Sequence, residues 1–429
     1  MLKDHFFEHI KSEFTRNVLT IFTGSSIAQI VPFIVAPVLT RLYNPEDFGL
    51  LALFTSLTSI IAIIATLQYE SAIMLPKDDN DAINIVTLCL FITLGITIFS
   101  FIGVSLFNKL ITKLLGNDRL SFWLYFLPIS VFLSGLFNTL TYWCSRKKQF
   151  KRIAIRSVSQ SVTTAFVKLT MGATGTIQSG LIIGALVGQT TATSILSWLI
   201  LKEDKSLLAC ISKVSVMKNA RIYRNFPKFN AIQAFLDILK MSLIIFIINR
   251  LFGSEILGYY SLSYSMVSLP IRLIGSSVSQ VFYQKAAFTF ANNSDLFGLT
   301  YKIFIRLIII ALPGLIIAIF FGPKLFSWFF GSKWIEAGVY AQIIAPWLFF
   351  TFVASPLGSI PSILNKLKSF FLISLLGTIG LPIIAVIASI FNLTILSMLS
   401  LFSFFGSLFI ILTVVWVFSI IKKTKTHGF

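Results

Sequence analysis

The chain has 429 residues, of which 56% are hydrophobic and 12% charged, and its mean hydropathy of +0.88 exceeds what a water-soluble core can bury. Apolar runs of about twenty residues, long enough to cross a bilayer, recur from one end to the other and exclude a soluble protein. The formal net charge of +19 would suit a nucleic-acid-binding protein, but the positions of the basic residues give a different explanation.

The apolar runs predict twelve transmembrane helices, six in each half of the chain. The predicted spans are residues 17–40, 49–69, 83–107, 121–144, 153–175, 180–201, 226–250, 256–284, 300–322, 336–361, 369–391 and 394–421. The predicted fold class is therefore an all-α polytopic membrane protein. The first sixteen residues are charged and carry apolar side chains at near-helical spacing, which predicts an interfacial helix rather than a signal peptide.

When the loops between these spans are alternated across a bilayer, most of the 35 lysines and arginines fall on one side. The positive-inside rule makes that side cytoplasmic, so both termini are predicted to be cytoplasmic. The basic loops 146–152 and 202–224 would then lie against the anionic lipids of the inner leaflet. The basic excess reflects topology, and no nucleic-acid partner is predicted.

The first two spans carry polar groups. Span one is polar in its cytoplasmic half, where Gln29 lies, and Pro32 and Pro37 predict a kink beyond it. Such a helix should face protein or water. Span two carries a stripe of small polar residues that ends at Glu70, close to the cytoplasmic boundary. Glu70 has two interpretations, an interfacial carboxylate in water or a group that binds a coupling ion.

Span five has one broad polar face that includes Arg156, with Lys168 about 120° away around the helix. Arg156 lies near the cytoplasmic end, where its long side chain could snorkel to the interface. After span six comes the one connection long enough to be a linker, which is the predicted domain boundary. The predicted parts of the chain are the interfacial helix 1–16, the N-terminal lobe 17–201, the linker 202–224, the C-terminal lobe 225–421 and the cytoplasmic tail 422–429.

The two spans after the linker carry the strongest functional signal. Span seven places polar residues at i, i+3, i+7 and i+10, on one face that crosses the expected bilayer midplane; they are Asn230, Gln233, Asp237 and Lys240. Span eight places several serines and Arg272 on one face of the helix. One alternative is that Asp237 and Lys240 neutralise each other on adjacent turns. Arg272 would remain as an anion ligand, since a planar guanidinium donates two parallel hydrogen bonds to phosphate.

A short polar turn occurs twice, as Arg41-Leu-Tyr-Asn-Pro-Glu-Asp-Phe-Gly49 and as Arg250-Leu-Phe-Gly-Ser-Glu-Ile-Leu-Gly258. The arginine, the first leucine, the glutamate and the final glycine keep their spacing. Chance similarity between apolar sequences is the alternative, but it would not readily match charges and a glycine. The repeat therefore predicts two related, pseudo-symmetric halves of six helices.

The interior of the predicted spans is net cationic. Its basic residues are Arg156, Lys168, Lys228, Lys240, Arg272 and Arg306, against the acidic residues Glu70 and Asp237. A charge at the bilayer centre costs about 3 kcal/mol even on the lenient insertion scale, so a helix retains one mainly where a cavity, a partner or a ligand relieves it. Two related halves with polar, proline-broken helices predict an alternating-access transporter.

No catalytic chemistry or metal site is predicted. The sequence has neither a Walker A motif nor a Gly-x-Ser-x-Gly motif, so nothing in it indicates an enzyme. The three cysteines have no metal-ligand spacing, and the three histidines lie near the termini. No cofactor is predicted beyond a coupling ion, H⁺ or Na⁺.

The segment from Thr40 to Gly49, together with Gln68-Tyr-Glu-Ser-Ala-Ile-Met-Leu-Pro76, resembles the O-antigen and polysaccharide flippase (Wzx-type) family of the MOP superfamily. The resemblance implies a MATE-like, V-shaped pair of six-helix lobes around a cationic central cavity. It also implies transport of an undecaprenyl-diphosphate-linked oligosaccharide from the cytoplasmic to the periplasmic leaflet of the bacterial inner membrane. A polysaccharide polymerase and a chain-length regulator are further partners that the resemblance suggests.

We therefore expect the diphosphate and the glycan to bind at Arg272, Lys240, Arg156, Gln29, Asn230 and Gln233. Asp237 and Glu70 are the candidates for ion coupling. A multidrug exporter of the same fold is an alternative that would need an acidic cavity for cationic substrates. A membrane-embedded polysaccharide polymerase would need a sizeable periplasmic loop with catalytic groups, whereas every predicted periplasmic loop is short.

Overall fold

The computed structural model describes residues 24, 26–175, 177–204, 209–292, 294–364 and 366–426. Throughout these residues the regular secondary structure is helical, as the apolar runs predict. The predicted interfacial helix lies outside the described residues, as do the last three residues of the tail.

The helices of the first half follow the predicted spans, with differences at their ends. Their bounds are α1 Ser26–Leu42, α2 Pro45–Ala62, a 3₁₀ helix Tyr69–Met74, α3 Asp79–Leu115, α4 Leu120–Leu124, α5 Leu127–Arg146, α6 Phe150–Ala173, α7 Ile177–Glu203 and α8 Lys213–Ile222. The second span is shorter than predicted, because the chain leaves α2 through turns in which Leu67 and Gln68 have φ values of 49° and 62°. Helix α8 lies within the predicted linker.

The second half contains two π-helical stretches among its α-helices. The elements are a π-helical turn Phe226–Asn230, α9 Ala231–Val267, a π-helical segment Ile271–Gly275, α10 Ser276–Ala291, α11 Leu296–Phe330, a 3₁₀ helix Ser332–Trp334, α12 Ile335–Ala354, a 3₁₀ helix Ser355–Ser359, α13 Ile360–Ile363, α14 Leu367–Ile390 and α15 Ile395–Thr426.

Predicted spans seven and eight meet at a kink rather than at a loop, and the helices on either side of it are numbered together as α9. The residues between them lie within α9, which is interrupted at Gly253, with φ 88° and ψ 173°. Only glycine adopts this backbone region without strain. Further along, Pro270 lacks the N–H that an α-helix requires, and the chain continues as the π-helical segment that contains Arg272.

The first copy of the repeated turn starts a helix. Pro45 occupies the first position of α2, and the Oδ2 atom of Asp47 accepts the backbone N–H of Asn44 at 3.0 Å, as in a capping box. Glu46 and Asp47 also favour the positive end of the helix dipole. Arg119 forms an ion pair with Glu46 at 2.8 Å. The acidic residues of this turn therefore contribute to the fold.

The described chain divides into two compact units between Ser254 and Glu255. The core of the first unit includes Trp143 and Ile73, where α3, α5 and the first 3₁₀ helix pack together. The core of the second unit includes Phe282 and Val417, from α10 and α15. Each unit therefore has its own buried apolar cluster.

The division falls within α9 and not in the predicted linker. The last residues of α9 before the division bond to the first unit: Asn249 donates to the carbonyl of Leu115 at 2.7 Å, and Asn117 donates to the hydroxyl of Ser254 at 2.7 Å. These contacts join the first part of α9 to the preceding helices. The related six-helix lobes stay a prediction.

Seven helices of the described chain are long and apolar enough to cross a membrane: Asp79–Leu115, Gly180–Glu203, Phe226–Val267, Leu296–Phe330, Ser332–Ile363, Lys368–Ile390 and Ile395–Lys423. Other predicted spans also contain helices, such as the shorter apolar helix α1, but these do not meet both conditions. The total of twelve spans stays a prediction.

Candidate functional site

Glu70 is buried in the first unit. It follows the second predicted span and lies in the 3₁₀ helix, outside the candidate membrane-spanning helices, with 3% of its surface exposed. The hydroxyl of Thr66 donates to its carboxyl group. Burial raises the pKa of Glu70, and the Thr66 hydrogen bond opposes this shift without cancelling it. The carboxyl group is therefore not exposed to water as the interfacial interpretation requires, and its role in binding a coupling ion stays a prediction.

Two basic residues, Arg146 and Lys147, bind the segment that follows Glu70. Arg146, the last residue of α5, donates to the carbonyls of Ile73 at 3.0 Å and Pro76 at 2.8 Å, and pairs with Asp79 at 2.9 Å. Lys147 also pairs with Asp79. In the sequence Arg146 stands out only as a cytoplasmic, topological charge. Its role depends on where the chain folds back, which no local pattern in the sequence indicates.

Arg156 is held inside the first unit and does not extend to an interface. Its Cζ atom lies 3.5 Å from the centre of the Phe137 ring, and its Nη1 atom donates to the Thr141 hydroxyl at 3.0 Å. Only 7% of the residue is exposed, and its Nε atom has no hydrogen-bond partner among the described residues. The contact with α5 therefore accounts for this charge through cation–π and hydrogen-bond interactions.

Gln29 lies where α1 packs against α6. Close packing is evident nearby, since the hydroxyl of Ser161 donates to the carbonyl of Ala28 at 2.6 Å. The Gln29 side chain is half-buried, and its oxygen has no hydrogen-bond partner in the described part of the chain. This oxygen is itself buried, so the predicted contact between Gln29 and a glycan stays a prediction.

The polar face of α9 is accessible. Asn230, Gln233 and Asp237 are exposed, and Lys240 is half-buried. No ion pair joins Asp237 to Lys240 within the described residues, so the two charges do not form the direct contact considered above. The two charges still attract each other electrostatically, and their binding roles stay predictions.

Arg272 lies on the π-helical segment of the second unit, with its side chain folded back along the helix. Its Nη1 atom donates to the Ser268 hydroxyl and its Nη2 atom to the Ser265 carbonyl, both at 2.9 Å. The residue is exposed. These hydrogen bonds orient the guanidinium, and its accessible surface can contact a further anionic group.

The structure does not bring all the predicted residues into one cluster. Arg272 belongs to the second unit, and the first unit holds Gln29, Glu70, Arg156, Asn230, Gln233, Asp237 and Lys240. Among the described contacts, no hydrogen bond or ion pair joins these first-unit residues to one another. The binding roles predicted for them stay predictions.

One contact that the sequence does not predict lies between the two copies of the repeated turn. A Cβ atom added to Gly49 would lie 2.0 Å from the carbonyl oxygen of Ser254. Ser254 is also held by Asn117 and donates to Asn249 at 3.0 Å. The sequence shows that a glycine recurs at the end of the turn, but only the structure shows that Gly49 lies against Ser254.

The fold is that of the transporters of the MOP superfamily. An inward-facing multidrug resistance MATE family transporter of that superfamily aligns with a TM-score of 0.74 at 13% identity, covering 96% of each chain. A MOP superfamily transporter from Pyrococcus furiosus aligns with a TM-score of 0.65 at 14% identity, again over 96% of each chain. The chain therefore has a MATE-like fold, and its long apolar helices make it a multi-pass membrane protein.

The sequence defines the family within that fold. The model of the polysaccharide biosynthesis protein family matches residues 38–339, and the chain belongs to this family. No curated protein sequence matches the chain. The matched range includes the repeated turn, Glu70, Arg156, α9 and Arg272.

Proposed function

We propose that this protein is a flippase that moves an undecaprenyl-diphosphate-linked oligosaccharide from the cytoplasmic to the periplasmic leaflet of the bacterial inner membrane. The observation that carries the proposal is an exposed, oriented Arg272 on a π-helical segment, in a chain of the polysaccharide biosynthesis protein family. A transporter of this kind would use twelve spans in two related halves and alternating access.

Arg272 and Lys240 are the proposed ligands of the diphosphate. A guanidinium suits phosphate oxygens, and each cation would replace part of the water that surrounds the diphosphate. Asn230, Gln233 and Gln29 offer amide groups to sugar hydroxyls. Arg156, behind Phe137, would add positive potential.

Glu70 and Asp237 are the proposed coupling groups. Because burial raises the pKa of Glu70, this group holds its proton at a pH at which an exposed glutamate is ionised, and releases it as the pH rises. A raised pKa at Glu70 favours H⁺ over Na⁺ as the ion that this group binds. Transport driven by a pH gradient should therefore lose its gradient dependence in Glu70→Gln, and a variant that kept it would contradict this assignment.

A multidrug exporter is the second candidate, because several of the similar solved structures are MATE transporters described as such. The basic groups of α9 and the π-helical segment oppose it, since cationic drugs would require acidic groups. The Pyrococcus furiosus transporter is described as having a binding pocket of reverse polarity, which suggests a different function for that protein. Drug-resistance assays in cells that express this chain would discriminate the two candidates.

The main test is transport of a fluorescent undecaprenyl-diphosphate oligosaccharide between the leaflets of proteoliposomes. Arg272→Ala and Lys240→Ala should each slow transport about tenfold or more, since a hydrogen bond to a charged group contributes roughly 1.5–3 kcal/mol. Lys302→Ala, which removes an exposed lysine of α11, is the matched control and should retain the rate. Wild-type transport rates in Arg272→Ala would contradict the proposed site.

Other partners follow from the same proposal. The exposed Lys213, Lys218 and Arg221 of α8 would contact anionic lipids of the inner leaflet, which lipid analysis of the purified protein can test. Replacing all three with glutamine should reduce the anionic lipid that is retained. A polysaccharide polymerase and a chain-length regulator would receive the translocated unit, and copurification from cells would test their binding.

A further inference from the structure

The second unit contains an apolar cleft of about 450 Å³. Its walls come from the end of α9, the π-helical segment, α11 and α12, and each lining residue whose side chain the structure describes is apolar. The volume lies in the range of small-molecule sites, about 300–1,000 Å³. These described side chains offer a ligand no hydrogen bonds, so this lining suits hydrocarbon.

The cleft reaches the surface of the unit along α11. Ile310 and Ile317 line it and are 57% and 48% exposed. Ala311, Gly314 and Ala318 give this wall small side chains, and a Cβ atom added to Gly314 would have no other heavy atom within 4 Å. The wall therefore has open space beside Gly314.

The segment that lines the cleft also carries a cation. Ile271 and Ile274 line the cleft, and Arg272 lies between them in sequence on the same π-helical segment. Ser268 and Ser265 orient its guanidinium. A segment that combines an apolar cleft with an exposed, oriented cation suits a molecule with an anionic head and a hydrocarbon chain.

We propose that this cleft binds the isoprenoid units next to the diphosphate of the lipid-linked substrate while Arg272 contacts the diphosphate. The inference rests on the proposed function and assigns a site to the part of the substrate that stays in the membrane. The methyl branches of a polyprenyl chain would occupy the open space beside Gly314. A straight phospholipid chain has no branches to place there. Binding the chain beside the diphosphate would fix the head group relative to the helix that bears Arg272.

The test uses an undecaprenyl-diphosphate oligosaccharide with a diazirine on an isoprene unit near the diphosphate. Full-length protein in nanodiscs is irradiated, and labelled peptides are identified by mass spectrometry. Label should appear in peptides of α11 and α12. Gly314→Phe fills the cleft and should reduce this label about tenfold, the lower end of what shape discrimination in an apolar pocket provides.

The matched control is Gly95→Phe, at a helical glycine of α3 that also has no heavy atom near its missing Cβ. It should leave the labelling unchanged. Gly314→Leu, a smaller change at the same position, should give a partial loss and covers the case in which Gly314→Phe does not fold. Monodisperse elution of each variant is required before its labelling is compared.

The outcomes separate this inference from the proposed function. Wild-type protein that transports the glycolipid, with labelling outside the cleft or unaffected by either Gly314 variant, would overturn the inference and leave the function. Wild-type protein that neither binds nor transports the glycolipid would overturn the function. Equal labelling of the cleft by a straight-chain diazirine phosphatidic acid would identify phospholipid as the occupant and overturn the polyprenyl assignment.

Discussion

The two copies of the repeated turn change the direction of the chain by different means. The first copy ends α1 and starts α2 with Pro45 and the side chain of Asp47, and Arg119 pairs with Glu46. The second copy has neither proline nor aspartate, and it interrupts α9 through the backbone of Gly253. The first turn is therefore specified by side chains, and the second by a conformation that only glycine adopts readily.

The copies also differ in their surroundings. Gly49 of the first copy touches the backbone of Ser254 in the second, and Ser254 is held by two asparagines. Beyond Ser254 the chain enters the second unit, where Glu255 accepts a hydrogen bond from Tyr259 at 2.9 Å. The second copy is thus both a helix break and the passage from one unit to the other.

The largest effect is expected from Gly49→Leu. The added Cβ atom would lie 2.0 Å from the carbonyl oxygen of Ser254, a backbone atom that cannot move aside as a side-chain end can. Overpacking of this kind costs about 1–3 kcal/mol and more where backbone must shift, so we expect the upper end or beyond. The measurement is the midpoint of thermal unfolding in detergent, followed by tryptophan fluorescence.

Gly103→Leu is the control for that variant, because Gly103 is a helical glycine of α3 with open space around its missing Cβ. Its midpoint should stay close to that of the wild type. If both leucine variants unfolded at the wild-type temperature, the close contact between the two copies would not exist in the protein.

The helices were predictable from sequence because they follow from long apolar runs, which leave a backbone in lipid no other way to satisfy its polar groups. Whether a charged side chain on such a helix is buried or exposed was not predictable. Arg156 and Arg272 lie on similarly polar predicted helices, yet one is covered by Phe137 and the other is exposed. That difference depends on which neighbour the fold places beside each residue, and a single helix does not encode it.

The same limit applies to backbone geometry. The sequence predicts proline-broken helices in general, but not the π-helical segment that carries Arg272 and lines an apolar cleft. Arg146 looked like one more cytoplasmic charge, but it binds three parts of a single turn. The role of Arg146 depends on contacts between residues distant in sequence, which a local pattern does not indicate.

The second effect in size is expected from Gly253→Ala, which tests the second copy alone. With φ at 88° and ψ at 173°, an alanine would cost about 1–3 kcal/mol of unfolding free energy, although no atom lies within 4 Å of the added Cβ. The loss would therefore arise from backbone strain rather than from a clash. Gly103→Ala, with normal helical geometry, should stabilise slightly if it changes the unfolding midpoint at all.

The smallest effect is expected from Arg119→Gln in the first copy. The side chains of Arg119 and Glu46 are 42% and 53% exposed, so water and salt screen their ion pair and its contribution should be under about 1 kcal/mol. The Nη2 atom of Arg119 also lies 3.5 Å from the Oδ1 atom of the buried Asp47, which belongs to the capping box. A double-mutant cycle with Glu46→Gln, measured at low and high salt, separates the two contributions. A coupling free energy that vanishes at high salt would assign the effect of Arg119→Gln to the ion pair with Glu46. A loss of stability that persists at high salt and in the Glu46→Gln background would assign it to the contact with Asp47.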